Sequence, residues 1–309
     1  MQSDGRGYRN GENMMDEVVL RLLGTIGLLI GLPILVRASY GLRHTTLCAA
    51  CGWAIGGFLI WVVGWVMSVL TSILERGRAD QLWYAAVVLL LCPFISVLGA
   101  KRPGSRVWNW FVIIPLVLVL FWPAVVLWKP TMQGQALLLE GPALVGFLLV
   151  LVMGTGNYFG TQFTVPSILA GIALLLAVGS FSAVGGEQCS DPQHLRLWAT
   201  VCLSAAIVVA AVLSRSVSNV PSGCDRIWTD FRNQFGIVWA SRIQVRINDA
   251  VKRENLPARL TIHGLIWTDE PVNDDVKSQT EVRYEHLLRW WLRRFVDPEW
   301  VDQRVQSND

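Results

Sequence analysis

The hydrophobic pattern divides the chain into a long apolar region and a shorter polar one. Between residues 17 and 213, apolar stretches of roughly 18 to 25 residues recur, the length that a helix needs to cross a bilayer core. They predict about seven membrane-spanning helices, near Val18–Val36, Leu47–Ile73, Leu82–Gly99, Trp108–Trp128, Pro142–Phe159 (or Ala136–Met153), Phe163–Val184 and Leu195–Leu213. Trp and Tyr residues stand at several of the ends, as expected of aromatic side chains in the headgroup zone.

The last third of the chain follows a different pattern. Apolar residues recur at every fourth position, which predicts a helix with one apolar face: Ile227, Phe231, Phe235, Trp239, Ile243, Ile247 and Val251. The stretch "ARLTIHGLIWT", residues 258–268, predicts a strand or hairpin. The spacing near Ser278–Val296 predicts a second helix that Pro298 ends. About 95 residues of this kind suffice for a compact α+β unit docked onto the membrane part.

These patterns predict an all-α polytopic membrane bundle of about seven transmembrane helices, followed by a small α+β cytoplasmic domain. We predict a polar N-terminal tail (residues 1–16), a transmembrane domain (17–213) and a soluble or interfacial C-terminal domain (214–309). The tail lacks a small-x-small cleavage site, so the first span is interpreted as a retained helix.

Composition agrees with this division. The chain is 53% hydrophobic and only 16% charged, with a mean hydropathy of +0.44, values typical of a membrane protein. Residues 1–213 hold 12 Lys and Arg and 9 Asp and Glu, whereas residues 214–309 hold 14 of each kind. The net charge of +3 is too small and too spread out to indicate nucleic-acid binding.

Orientation is predicted from the Lys and Arg residues of the short loops. With the C-terminal region inside, the inner segments carry eight of these cations and the outer segments six. The bias favours a multi-pass protein of the cell membrane with a cytoplasmic C-terminus.

Small residues in the first two spans predict close contacts between helices. Gly27 and Gly31, and likewise Gly52 and Gly56, are four positions apart on one helix face. This spacing lets two helix backbones approach each other closely.

Glu140, in "LLLEGPALVG", stands at the edge of the fifth span. A helix that starts at Pro142 leaves Glu140 just outside, near the positive end of the helix dipole. A start at Ala136 places Glu140 one turn inside instead. Arg21 lies about one turn inside the first span, which runs in the same direction, so both residues reach the same membrane face. Glu140 is therefore either a helix-edge carboxylate or the partner of Arg21 in an intramembrane ion pair.

The polar face of the first C-terminal helix is basic. Its cations are Arg226, Arg232, Arg242, Arg246, Lys252 and Arg253. Directly after a membrane span, this composition suits a helix in the interface with its arginines toward anionic headgroups. The alternative is a helix packed into a small soluble domain.

The sequence carries no motif for catalysis, cofactors or metals. "CAAC" at 48–51 has redox spacing, but it opens an apolar helix, and no second Cys pair completes a zinc site. The glycines of "MGTGNYFGTQF", 153–163, miss the dinucleotide-binding spacing and predict a tight turn between two spans. No phosphate-binding loop and no nucleophile elbow occur. We therefore expect no catalytic residue, no metal and no cofactor.

Three segments carry a resemblance: "GAKRPGSRVWNWFVIIP", "GTGNYFGTQFTVPSIL" and "DRIWTDFRNQFGIVWASRIQVRINDA". They resemble stretches of uncharacterised bacterial multi-pass membrane proteins that have no assigned activity. The resemblance covers about half of the chain, implies a shared architecture, and brings no catalytic residues.

Two classes of function remain open. The first is a non-catalytic subunit or scaffold of a membrane complex, with a protein partner at the C-terminal domain. The second is a transporter or permease subunit with a pathway inside the bundle, where prolines within the spans would open the helices. An enzyme is the less favoured class, because no acid, base, nucleophile or metal cluster converges in the sequence.

Overall fold

The computed structural model describes residues 6–70, 76–126, 137–139, 141–181, 192–216, 223–268 and 274–305. In chain order, its helices are α1 (Arg6–Gly41), α2 (Cys48–Leu70), α3 (Arg76–Leu98), α4 (Ser105–Trp108), α5 (Ile114–Val126), α6 (Gly141–Gly156), α7 (Thr164–Gly179), α8 (Pro192–Ser216), α9 (Cys224–Glu254), α10 (Asp274–Leu292) and α11 (Pro298–Val305). A π-helical turn, Asn109–Ile113, joins α4 to α5, and β1 (Ala258–Thr261) pairs with β2 (Gly264–Trp267).

Each predicted span contains a helix, and among the described residues four helices are long and apolar enough to cross a membrane. The four stretches are Val18–Gly41, Cys48–Ser68, Ala79–Leu98 and Pro192–Arg215. Shorter apolar helices occupy the other three windows, at Asn109–Val125, Gly141–Gly156 and Thr164–Gly179. This agrees with the predicted membrane localisation.

Two helix starts bear on the sequence interpretation. α1 begins at Arg6, so from that residue on the predicted polar tail continues into the first span as one helix. α6 begins at Gly141, which agrees with a start at Pro142 and not with one at Ala136. Proline at the second helical residue leaves no hydrogen bond unmade, because the first-turn N–H groups have no partner in the helix.

Large aromatic side chains fill the interior of the bundle. α2 packs along α3, and α8 packs against both α1 and α7. Trp61 and Trp83 are buried there with ring centroids 4.8 Å apart in an edge-to-face arrangement. The hydroxyl group of buried Tyr84 donates to the carbonyl oxygen of Leu120 in α5, which satisfies a polar group that would be costly to bury alone.

The outer faces of these helices are apolar as well. Among the most open side chains, between 60% and 77% exposed, are Leu29, Phe111, Val119, Val152 and Val212. They lie on α1, the π turn, α5, α6 and α8. Soluble domains rarely expose so much apolar surface to water. Such a surface is favourable where lipid tails contact it.

Close helix contacts occur at one predicted glycine pair and not at the other. A methyl group on Gly27 would overlap Ser204 of α8, and one on Gly31 would lie 2.8 Å from the Phe58 ring. A methyl group on Gly52 or Gly56 would meet nothing within 4 Å. The first pair therefore lets α1 approach α2 and α8, while the second pair is open.

The residues 223–305 that the structure describes form what we call the C-terminal unit. Its core contains Ile227, Trp228, Phe231, Phe235, Trp239, Ile243, Ile247 and Val251, the whole apolar stripe of α9, together with residues of the hairpin, α10 and α11. Asn248 of α9 holds the hairpin, since its amide donates to the Leu260 carbonyl (2.8 Å) and its side-chain oxygen accepts the Leu260 N–H (3.0 Å).

α10 and α11 close this core from the other side. Tyr284 donates its hydroxyl hydrogen to the Ala258 carbonyl at 2.8 Å. Arg304 of α11 donates to Asp230 of α9 at 2.6 Å, with side chains 14% and 12% exposed. Burial raises the pKa of Asp230 although Arg304 opposes the shift, because desolvation penalises the charged carboxylate. Pro298 begins α11, as proline can at a first helical position, and α10 already ends at Leu292.

Candidate functional site

The turn between α6 and α7 joins one end of the bundle to the C-terminal unit. Asn157 of this turn is 2% exposed and faces a kink in α9 at Gly236. Its carbonyl accepts the Ile237 N–H at 2.8 Å, its side-chain oxygen accepts the Val238 N–H at 3.1 Å, and its amide donates to the Phe235 carbonyl at 3.2 Å. Asn157 thus satisfies backbone groups that the kink releases from α9.

The kink requires glycine. Gly236 has φ 80° and ψ 175°, a backbone region that is essentially restricted to glycine. A methyl group there would lie 2.5 Å from the Asn157 carbonyl oxygen and would overlap the Asn157 side chain. The sequence around Gly236 contains no glycine motif that would predict a kink in α9.

The connection between α1 and α2 also binds the C-terminal unit. The Thr46 N–H donates to the Phe295 carbonyl at 2.8 Å, and the Asp297 N–H donates to the His44 carbonyl at 2.8 Å. The loop thus pairs with the segment between α10 and α11 as a short piece of antiparallel ladder.

The connection between α3 and α4 makes the third attachment. The Arg102 N–H donates to the Arg294 carbonyl at 2.8 Å, and the Arg102 side chain donates to Asp297 at 2.7 Å. From α9, the Trp239 indole N–H donates to the Val97 carbonyl at 2.9 Å. A backbone or indole donor that is withdrawn from water needs such a partner.

Apolar packing runs without a break through this junction. Four buried residues of the bundle, Leu47, Ala50, Val97 and Ala100, belong to the core of the C-terminal unit. A shared core with three hydrogen-bonded loops fixes the unit to the bundle as one body, in contrast to a tail on a flexible linker.

An open pocket of about 400 Å³ lies at the same junction. It is lined by Gly99, Lys101, Arg102, Pro103, Gly104, Trp108 and Trp239. Lys101 is exposed, and Arg242 stacks on Trp239 with its guanidinium carbon 5.0 Å from the ring centroid. The pocket therefore combines aromatic walls with positive charge.

A largely buried ion pair lies at the opposite end of the bundle. Asp80 of α3 and Arg196 of α8 are 2.7 Å apart, with side chains 17% and 14% exposed. Arg196 also donates to the Ser180 hydroxyl at 3.2 Å, and its guanidinium carbon lies 4.9 Å from the Phe181 ring centroid. With these partners the pair is satisfied and links α3, α8 and the end of α7.

Sequence reasoning missed this pair. Asp80 and Arg196 lie only about one turn inside their helices, so both resemble ordinary charges at a helix end. The available signal was the position of two opposite charges just inside two apolar spans.

The predicted pair of Arg21 and Glu140 stays a prediction, because Glu140 lies outside the described residues. Arg21 is half-buried on α1. The Leu139 N–H, next to Glu140 in the chain, donates to the Phe181 carbonyl at 2.9 Å. Residue 139 therefore lies at the end of the bundle that holds Asp80 and Arg196.

The six predicted cations of the basic helix face fall into two groups. Arg226 and Arg232 are half-buried, and Arg232 donates to the Ile262 carbonyl at 2.7 Å, so it holds the hairpin turn. The exposed group consists of Arg242, Arg246, Lys252 and Arg253. Because the apolar stripe of the same helix is buried in the C-terminal unit, α9 is packed in a small domain and exposes cations only along its second half.

One cluster of metal-type ligands occurs among the described residues. His44, Asp297 and Glu299 present ligand atoms within 4.8 Å of one another. Asp297 already accepts from Arg102 at 2.7 Å, and His44 and Glu299 are exposed. The arrangement is typical of surface charges that screen each other.

Comparisons with protein-family models, with curated proteins and with solved structures find no match for this chain.

Proposed function

We propose that this protein is a non-catalytic membrane subunit or scaffold, which holds its C-terminal unit as a rigid platform at the cytoplasmic face. The observation that carries the proposal is the shared core at the junction, where Leu47, Ala50, Val97 and Ala100 pack into the C-terminal unit. A partner bound to such a platform has a fixed position relative to the membrane. Among the described residues, no nucleophile, base and acid converge in a way that would suggest catalysis.

Seven crossings are part of the proposal. The shorter helices α6 and α7 run between the same two ends of the bundle as the long ones. Leu139, two residues before α6, bonds to Phe181, which follows α7, beside Arg196, while the turn between these helices bonds to α9 through Asn157. Sixteen residues of helix measure about 24 Å, a length that a locally thinned bilayer accommodates.

The cytoplasmic placement is supported by cations around the junction. Near the junction, arginines stack on aromatic rings: Arg43 on Tyr40 at 4.3 Å, Arg242 on Trp239 at 5.0 Å, and Arg293 on Trp290 at 3.5 Å. Aromatic rings favour the headgroup zone and cations favour the anionic inner leaflet.

Site-specific photocrosslinking in intact cells tests the scaffold role. A photoreactive residue at Val282 or Ile266, which are 67% and 55% exposed on the C-terminal unit, is expected to give one discrete adduct with a second protein. The matched control positions, Leu29 and Val152, are 71% and 66% exposed on the bundle and should react with lipid only. Absence of a protein adduct from both platform positions would contradict the proposal.

A transporter subunit is the second candidate, and the ion pair of Asp80 and Arg196 favours it. Ionisable groups inside a bundle often mark a proton or ion path. In proteoliposomes, a transport function predicts proton uptake driven by an imposed potential that Asp80→Asn abolishes. If the protein is a scaffold, neither the wild-type protein nor the Asp80→Asn variant should show this proton uptake.

A further inference from the structure

The pocket at the junction has the chemistry of a headgroup site. It is lined by Trp108 and Trp239 and by residues of the connection between α3 and α4, among them Gly99, Pro103 and Gly104. Lys101 and Arg102 line it directly. The Arg102 side chain is already bonded to Asp297 at 2.7 Å, so Lys101 is the lining cation available to a ligand. Arg242 does not line the pocket, but it stacks on the lining residue Trp239 and adds positive charge beside it.

The pocket opens at the edge of the apolar surface. Near its lining residue Trp108 in the chain are Trp110, Phe111 and Val107, whose side chains are 64%, 77% and 58% exposed. A ligand whose anionic head lies in the pocket can therefore extend hydrocarbon chains along α4 and the π turn. Basic pockets at the cytoplasmic ends of membrane helices bind phospholipid headgroups in this way.

We propose that this pocket binds the phosphate headgroup of an anionic phospholipid, with Lys101 as its charged contact, Arg242 beside it on Trp239, and Trp108 and Trp239 as lining aromatic residues. The exposed apolar side chains beside the pocket favour a lipid over a free phosphate, because a lipid has hydrocarbon chains that can contact them and a free phosphate has none. The inference rests on the membrane placement of the bundle and is independent of the scaffold role, so the crosslinking experiment and a lipid-binding measurement can fail separately.

Native mass spectrometry of the full chain in neutral detergent tests the site. The probes are phosphatidylglycerol, phosphatidylcholine and glycerol 3-phosphate. We expect the first phosphatidylglycerol to bind more tightly than phosphatidylcholine. We expect Lys101→Gln and Arg242→Gln each to weaken it about fivefold, and the double variant about 25-fold.

The matched control is Lys252→Gln with Arg253→Gln, which removes the same charge from the exposed far end of α9 and should leave binding unchanged. Lys101→Arg keeps the charge and should keep binding, which separates loss of the site from loss of folding. If the control double variant weakened lipid binding equally, the effect would be a general attraction between cations and anionic lipid, and the proposal would be overturned. Displacement of the lipid by millimolar glycerol 3-phosphate would also overturn it, in favour of a free phosphate site.

Discussion

Replacement of Gly236 by alanine should detach the C-terminal unit from the turn between α6 and α7. The native φ of 80° with ψ of 175° costs a non-glycine residue about 1–3 kcal/mol. The new methyl group would also displace Asn157, and each buried hydrogen-bonding group left without a partner costs about 1–3 kcal/mol. Three such groups of α9 bond to Asn157, so the lower ends of these ranges already add up to about 4 kcal/mol. We therefore expect Gly236→Ala to destabilise the docked state by at least about 4 kcal/mol, a roughly thousandfold increase in the undocked fraction.

Hydrogen–deuterium exchange of the full chain in detergent micelles measures this effect. Peptides that contain the amides of Ile237 and Val238 should lose protection in Gly236→Ala, since both amides donate to Asn157. Gly160→Ala is the matched control, because Gly160 also has a positive φ of 76° but nothing lies within 4 Å of an added methyl group. It should cost only about 1–2 kcal/mol. Equal exchange at these two amides in both variants would refute the steric argument.

Three further predictions concern the bundle and one thiol. Asp80→Asn should lower stability by about 3 kcal/mol, because it leaves a largely buried cation without its carboxylate. In the Asp80→Asn background, Arg196→Gln should cost much less than it costs alone; additive losses of thermal stability in detergent would contradict the pairing. Gly27→Ala should destabilise by about 1–3 kcal/mol through overlap with α8, whereas Gly52→Ala, with nothing within 4 Å, should be neutral or slightly stabilising; similar melting temperatures would contradict the close approach. Burial, and secondarily nearby carboxylates, raise the pKa of Cys224 to about 12. Its maleimide labelling at pH 8 should therefore be slow in the folded protein, should accelerate as the pH rises toward 12, and should be fast after denaturation. Fast labelling of Cys224 at pH 8 in the folded state would contradict this.

The helices of the bundle were predictable because lipid-facing and buried positions are both apolar, so length and hydropathy alone mark them. The hairpin at 258–268 and helix α9 were equally predictable, since their periodicity depends on one buried face. The boundaries were less so. Pro298 was expected to end a helix and begins one, because proline fits the first turn as well as it breaks an interior one.

The junction and the ion pair could not be derived from local pattern. Asn157 belongs to the predicted tight turn between two spans, and it also bonds to the kink of α9 about eighty positions later. Gly236 lies inside an otherwise regular amphipathic stripe, which gives no sign of a kink. Asp80 and Arg196 are separated by more than a hundred residues, and only the packing of α3 against its neighbours brings them together. Such contacts depend on tertiary arrangement, which a periodicity does not encode.

Labelling of single cysteines in an otherwise cysteine-free chain tests the central claim most directly. The positions are Gly141→Cys and Gln193→Cys at the end of the bundle that holds Arg196, and Gly104→Cys and Ser278→Cys at the C-terminal unit, all at exposed sites. With seven spans and an inner platform, a membrane-impermeant maleimide added to intact cells or spheroplasts should label the first two positions and spare the last two until the cells are lysed. Labelling of Gly104→Cys or Ser278→Cys before lysis, or protection of Gly141→Cys, would contradict the proposed arrangement of the chain in the membrane.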